Sequence, residues 1–566
     1  MTDRKPIPDG TEDFKELIDK GYCFVDKTLL IKDLLNQSAK VNLITRPRRF
    51  GKTLNMSMIQ RFFEKTEKSN AYLFEGLKIN DAGEKYLKHQ GKYPVITISL
   101  KGMDKSDYES AFVFFKNAVA EEFGRHNYLK DSSELSEAEK EKFLSIRDEK
   151  AKDIEYEFAL RFLSVCLEKH FHAKVIILID EYDVPLENAH FKGFYDKMVE
   201  LVRSVFKGVL KTNPSLEFAV LTGCLRISKE SIFTGMNNLD IYPVTDQRLS
   251  EYYGFTQSEV ENLAKYYNIE DKLDEMKKWY DGYLFGKTEI YNSWSIVKYI
   301  ASAIGGNDYS CQAYWINTSS NSIIRQLIEK SDENTRQKIE SLVAGGSVKA
   351  VINQNSVYSD LDVNNEDIWS FLLFTGYLKQ INSEFINKRT VSEMVIPNLE
   401  VLTVYEDTIQ KWFDEIVQSE RTPELLEYFL DEKPEEAQKE INRWLRKSIS
   451  FHDYLENFYH GFLLGAMTGN DEYEIKSNRE NGTGRTDITI CKYQTREIAV
   501  IIELKVAGSF KEMETMCNTA LKQIQTKKYA EQLTDDCYEK VINYGIAFYG
   551  KACKVKMSET VYATED

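Results

Sequence analysis

The sequence predicts an α/β protein, with a parallel sheet near the N-terminus, a mostly helical middle region and a second, smaller α/β domain at the C-terminal end. Three observations carry this expectation. Short, continuous apolar runs rich in β-branched residues recur through residues 1–235, the pattern of strands buried on both faces of a parallel sheet. Amphipathic stretches separate these runs, and repeated strand–helix alternation places helices on both faces of a sheet. The same alternation returns from residue 450 after a region of different character.

In chain order, the first strands are KVNLIT (40–45), YPVITISL (93–100), KVIILID (174–180) and LEFAVLTG (216–223). Helical patterns fall at 54–65 and 155–170, and the charged, helix-prone segment 127–152 reads as a surface insertion. Residues 236–420 are rich in Tyr, Trp, Asn and Ser, with short helical patterns at 258–267 and 293–304 and a polar connection, NTSSNS, at 317–322. We read them as a helical accessory region able to hold a winged-helix unit. Residues 421–449 are charged and helical, punctuated by Pro423 and Pro434, and read as a linker. The last domain, 450–566, reads helix (454–467), strand (486–491), strand (498–506), helix (512–532), strand (543–549).

Composition narrows the function classes. Over 566 residues, 42% are hydrophobic and 29% charged, ordinary for a soluble globular chain. No run approaches the roughly 18 apolar residues of a membrane span, and the polar N-terminus lacks the apolar core of a signal peptide. A cytoplasmic protein is expected. The eight cysteines are scattered, with no C-x-x-C pair, which suits core thiols better than a disulfide framework or a zinc site. A net charge of −16 excludes a wholly basic nucleic-acid coat and leaves room for a local basic patch.

The first chemical motif is the loop Arg46-Pro47-Arg48-Arg49-Phe50-Gly51-Lys52-Thr53, which follows a strand and opens a helix. In a phosphate-binding loop Gly51 admits the phosphate without a Cβ clash, Lys52 reaches the β- and γ-phosphates and Thr53 offers its hydroxyl to Mg²⁺. The helix start adds N–H groups and a positive dipole end. The usual first glycine is replaced by Arg46, and Pro47 removes a donor. Arg46, Arg48 and Arg49 admit two readings, further phosphate contacts or a solvated basic loop. A second Gly-Lys-Thr, at 286–288, is expected to have no buried strand before it and no helix start directly after it, and reads as a turn.

Downstream, KVIILIDEYD ends in acids. Asp180 fits the residue that holds the Mg²⁺ shell, and Glu181 fits a general base acting on the attacking water. The next strand ends at Leu221-Thr222-Gly223, where Thr222 could sense the γ-phosphate. Arg226, four residues on, reads either as a stabiliser of transferred charge or as a structural ion pair.

In the last domain, a hairpin centred near Thr495 would set Asp487 opposite Glu503. Residues two apart on a strand share a face, so Lys505 points with Glu503. Two carboxylates suit Mg²⁺ or Mn²⁺, and such an ion beside a lysine suits phosphodiester hydrolysis. The bland alternative is an edge strand with solvated charges. Upstream, Glu456 is a candidate further metal ligand, with His460 one turn on as a structural histidine. Gln523, with Lys527 and Tyr529, forms a face that reads equally as a phosphate-backbone contact or a solvated surface.

These segments resemble a bacterial family in which an AAA-ATPase-like domain precedes a PD-(D/E)XK nuclease-superfamily domain. The resemblance rests on YCFVDKTLLI (22–31), RPRRFGKT (46–53), YPVITIS (93–99), LIDEYDVPL (178–186), LTGCLRISKESIF (221–233), WYDGY (279–283) and YNSWSI (291–296). It continues through YHGFLLG (459–465), SNRENGTGRTDI (477–488), IIELKV (501–506) and ALKQIQTKKY (520–529). It implies an AAA-like P-loop sheet that binds ATP and a PD-(D/E)XK fold. It matches Asp487, Glu503 and Lys505 to the motif, Gln523 to the polar position on the following helix and Glu456 to the acid on the leading helix. The expected function is an ATP- and Mg²⁺-dependent nuclease acting on DNA, with RNA or tRNA as another substrate class and mobile-element or phage defence as a role. The alternative is a nucleotide switch whose last domain binds nucleic acid or protein without cutting. The architecture is compatible with an oligomer and gives no reason to expect a membrane partner.

Overall fold

The apolar runs become strands because they are covered on both faces. In a computed structural model, which describes residues 4–37, 39–225, 232–233, 237–305, 311–315, 324, 333–353, 358, 366–419, 424–447, 456–467, 472–481, 484–492, 496–530, 533, 538–558 and 561–562, five strands form the first sheet. They are β1 (Val41–Thr45), β2 (Val95–Ser99), β3 (Val175–Asp180), β4 (Leu216–Gly223) and β5 (Leu239–Tyr242). Every residue of β1 and β3 is buried. The order is β2-β3-β4-β1-β5, all parallel. The short, half-buried β5 carries no continuous apolar run and so left no mark in the pattern.

This order positions the first site. β4 lies between β1 and β3, with Thr45 level with Gly223 and Ile179 level with Leu221. The loop after Thr45, the end of β4 at Thr222 and the acid end of β3 therefore emerge side by side. The C-terminal edge of a parallel sheet is where such folds bind ligands.

The chain divides into two compact units, 1–323 with 345–404 and 324–344 with 405–566. In the first, helices follow the sheet at Gln257–Tyr267, capped by a Thr256/Glu259 box, and at Ser293–Ile304, capped by Asn292. This region also holds two small antiparallel sheets that the periodicity did not announce. One is the hairpin of β6 (Tyr283–Phe285) and β7 (Thr288–Ile290). The other is β8 (Val348–Val351), β9 (Lys379–Ile386) and β10 (Arg389–Val395) in the order β8-β10-β9, with the helix Asp367–Thr375 between β8 and β9 in sequence. The Gly-Lys-Thr at 286–288 spans the turn of the first hairpin, with Gly286 at φ +60°; contrary to expectation a strand with buried Tyr283 and Phe285 directly precedes it, and three residues are too short a run to show in the periodicity.

The second unit carries a six-stranded sheet, β11 (Glu474–Asn481), β12 (Gly484–Cys491), β13 (Ile498–Val506), β14 (Lys540–Tyr549) and β15 (Ala552–Met557) in that order, with β16 (Val561–Tyr562) beside β14. β13 and β14 run parallel and the other pairs antiparallel. A parallel pair needs a crossover connection, which the helix Met513–Thr526 supplies. The helices Glu424–Leu430 and Pro434–Lys447 put Leu425, Phe429, Ile441 and Leu445 into one core with Ile488, Ile502, Tyr544 and Phe548. Charge dominates their sequence, yet their apolar face belongs to this core. Among the described residues no helix is long and apolar enough to cross a membrane, and every cysteine is a free thiol.

Candidate functional site

The loop after β1 reverses the chain through two residues with positive φ, Arg49 (+72°) and Gly51 (+77°). Gly51 caps the helix Lys52–Phe63 in the left-handed region, a conformation that costs a side-chain-bearing residue about 1 kcal/mol. Lys52 is buried and its ammonium donates to the carbonyls of Arg46 (3.0 Å) and Pro47 (2.9 Å). The loop carbonyls thus collect the cation where a phosphate would otherwise compete for it. Thr53 Oγ1 donates to Asp180 Oδ2 at 2.7 Å, and Thr222 Oγ1 donates to Asp180 Oδ1. Thr53, Asp180 and Thr222 therefore meet at one carboxylate. Glu181 follows at φ +52°, which turns its side chain off the strand line into the pocket. Burial pushes its carboxyl above the usual range, partly opposed by Lys52.

The loop side chains have separate environments. The Arg46 guanidinium is fully buried, donates to Thr45 O (2.8 Å) and Tyr242 O (2.7 Å), and lies 5.0 Å from the Phe285 ring centre. It ties β1 to β5, and only its carbonyl faces Lys52. Phe50 is buried against Tyr283 (4.8 Å) and Phe285 (5.2 Å). Pro47 packs on Gly376, where an added Cβ would lie 2.9 Å from the proline ring. Arg48 is ion-paired with Glu187 at 2.8 Å. Arg49 lies over the Trp294 ring at 4.4 Å, and its carbonyl accepts from Ser293 Oγ at 3.2 Å. Arg226 falls outside the described residues.

A cavity of about 490 Å³ opens on this loop, within the usual range for small-molecule sites. Gly51, Lys52, Thr53, Glu181, Arg48 and Lys101 line it together with the apolar Ile7, Phe24, Val25, Phe255, Trp294 and Val297.

In the second unit the antiparallel ladder of β12 and β13 ends at Ile488 and Ile502. One step further, Asp487 lies opposite Glu503. There the Asp487 carboxylate replaces the ladder and accepts from Leu504 N at 2.8 Å. Glu503 is 1% exposed. Its Oε1 takes the amide of Gln523 and the Lys505 ammonium, the latter at 3.3 Å, while its Oε2 is buried with no hydrogen-bond partner. Burial first, then the Asp487 charge, push the Glu503 carboxyl up to about 7. An unpartnered buried carboxylate oxygen beside a second carboxylate fits a hard cation. His460 Nε2 lies 2.8 Å from the main-chain oxygen of Asp487, which suits the structural role expected of it. Glu456 opens the helix Glu456–Met467, and its side chain lies outside the described residues. Among the described residues no three His, Cys, Asp or Glu side chains gather as a metal cluster.

Comparison with known proteins falls on these two places. Residues 8–233 match the family model described as a predicted AAA-ATPase, and residues 454–558 match that of the PD-(D/E)XK nuclease superfamily. The chain joins a predicted AAA-ATPase domain to a PD-(D/E)XK nuclease-superfamily domain. An "uncharacterized protein in vnfD 5'region" of Azotobacter chroococcum mcd 1 is 25% identical over 405 residues, 70% of this chain and 68% of that relative. The two families support ATPase and nuclease-like activity at that level of description.

Several residues at these places escaped the sequence reading. In the ATPase-like domain, Asp183 is buried and accepts from Cys224 N (2.7 Å) and Leu225 N (2.9 Å), which fixes the turn after β4. Its carboxyl is pushed up to about 6 by burial. The acid-rich run DEYDVPLE was a signal for Asp183 and Glu187. The Cys224 thiol lies 3.7 Å from the Lys52 ammonium. In the nuclease-superfamily domain, Gly545 stands level with Glu503, and an added Cβ would meet Cys517 O at 2.5 Å. That close approach sets Gln523 against Glu503, and nothing local in the sequence marks it.

Proposed function

We propose that this protein is an ATP-regulated, Mg²⁺-dependent nuclease acting on DNA. The observation that carries the reading is the convergence of Asp487, Lys505 and Gln523 on Glu503, whose second oxygen is buried and unpartnered. Thr53 and Asp180 would hold Mg²⁺ in the first domain, Asp487 and Glu503 in the second. Bound there, the ion supplies positive charge against phosphate oxygens.

The chain's own groups do the rest. In the second domain Lys505, at 3.3 Å from Glu503 Oε1, orients the attacking water. The water oxygen bonds to phosphorus, one phosphorus–oxygen bond to the sugar breaks, and the proton passes to the leaving oxygen. Gln523 keeps Glu503 turned towards that water. In the first domain Lys52 binds the β- and γ-phosphates and Glu181 accepts the proton of the hydrolytic water. Apolar residues of the pocket lining, Trp294 and Phe255 among them, would hold the base. The pairing of an ATPase-like with a nuclease-like domain supports a role in mobile-element or phage defence by architecture.

The test is cleavage of plasmid DNA with Mg²⁺ and ATP. Wild type cuts and Asp487→Ala loses roughly 100-fold or more of that rate. Equal cutting by both would sink the nuclease assignment, and no cutting by either, with ATP still bound, would favour the non-cutting nucleotide switch.

A further inference from the structure

The loop brings three arginines to one phosphate site, and their surroundings separate them. Arg46 is enclosed with the carbonyls of Thr45 and Tyr242. Arg49 also lines the cavity, with its guanidinium held 4.4 Å over the Trp294 ring. Arg48 is the one described in an ion pair with the helix Val184–Lys192, which follows Asp180 and Glu181, and its partner there is Glu187. Arg48, Lys52, Thr53, Glu181 and Glu187 all line the same cavity. Because Thr53 is fixed to Asp180 and Lys52 to the loop, this end of the cavity is where the γ-phosphate lies under the proposed reading.

We propose that Arg48 is the arginine that stabilises the γ-phosphoryl group during ATP hydrolysis, supplied from the loop of the same chain and held in position by Glu187. The inference rests on the ATPase half of the function proposed above and extends it. A guanidinium carries five N–H donors in a planar fork. The described contact uses one of them, Nη2 to Glu187 Oε2 at 2.8 Å. The fork can keep Glu187 on one edge and turn another towards phosphate. The Arg48 side chain is 29% exposed and that of Glu187 11%, so the pair borders the cavity and is not sealed in the core.

In the step itself the water oxygen forms a bond to the γ-phosphorus, and its proton goes to Glu181. The bond from the γ-phosphorus to the bridging oxygen breaks, and ADP leaves with the bonding pair. Arg48 N–H groups meet the charge on the oxygens of the transferring group, the role an arginine from a neighbouring protein fills in other NTPases. A cis arginine makes hydrolysis independent of a second subunit. Arg48 is then a catalytic residue and Glu187 a positioning residue.

The experiment measures ATP binding and turnover by the full-length chain. Arg48→Ala is expected to bind ATP within about fivefold of wild type and to lose roughly 100-fold or more in kcat. Free guanidinium should restore part of that rate, and Arg48→Lys should recover less than tenfold, because a point charge lacks the fork. Glu187→Gln should lower kcat with little change in KM. Mixing Arg48→Ala with Lys52→Ala should restore nothing. Turnover of Arg48→Ala within tenfold of wild type, or recovery on mixing, overturns the assignment and leaves the ATPase reading intact. A wild-type chain that neither binds nor hydrolyses ATP overturns both.

Discussion

At the scale of single residues, function and burial conflict most at Glu503. Its backbone is in a strand whose neighbours are buried, and its carboxyl is pushed up to about 7. Since that value lies above the 4.5 of an ordinary glutamate, the fold favours the protonated form. The stabilisation this contributes is full below about pH 4.5 and is lost as pH rises through about 7. A metal ion needs the ionised form, so binding releases a proton. Calorimetric titration of Mn²⁺ at several pH values should show affinity rising roughly tenfold per pH unit up to about pH 7 and levelling above it. The pH-dependent part should vanish in Glu503→Gln. Affinity that is flat from pH 5.5 to 8.5 would place the ion elsewhere. Asp487, Glu503 and Lys505 were legible in the sequence because strand periodicity alone puts 503 and 505 on one face and a hairpin sum puts 487 opposite. The separate environments of Arg46, Arg48 and Arg49 were not, because three adjacent arginines carry identical local chemistry and only tertiary partners distinguish them.

At the scale of elements, the first sheet was read from its continuous apolar runs, which survive into β1, β2, β3 and β4. β5 was missed because three half-buried residues and one buried tyrosine carry no run, and β6 to β10 because short antiparallel strands in a Tyr- and Asn-rich region show no clear alternation. The Phe50 contact with β6 makes that miss consequential, since the hairpin underpins the loop. In the second unit the element that matters is the helix Met513–Thr526, whose approach to β14 depends on Gly545. Gly545→Ala places a Cβ 2.5 Å from the Cys517 carbonyl, so the helix must move. Overpacking of this kind costs about 1–3 kcal/mol. We expect a lowered Tm and, with Gln523 drawn away from Glu503, a cleavage rate reduced roughly tenfold or more. Wild-type rates with wild-type stability would show that the helix is not what sets Gln523.

At the scale of the whole molecule, each compact unit contains one candidate site, and the proposed division of labour is that ATP controls and the second domain cuts. Lys52→Ala separates these roles. It should abolish ATP hydrolysis and any effect of ATP on cleavage, while ATP-independent cutting stays within about threefold of wild type. Full ATP stimulation in Lys52→Ala, read from the same plasmid assay, would remove the first domain from control. The net charge of −16 adds that DNA contact depends on local cations, so cleavage should fall as salt rises. The central claim is that Asp487 and Glu503 form a hydrolytic site, and one measurement addresses it most directly. Supercoiled plasmid is incubated with Mg²⁺, ATP and either wild type or Asp487→Ala, and the loss of the supercoiled form is followed with time. Cutting by wild type, reduced roughly 100-fold or more in the variant, is the predicted result. Equal rates in the two proteins, or no cutting by wild type on DNA, would contradict the account.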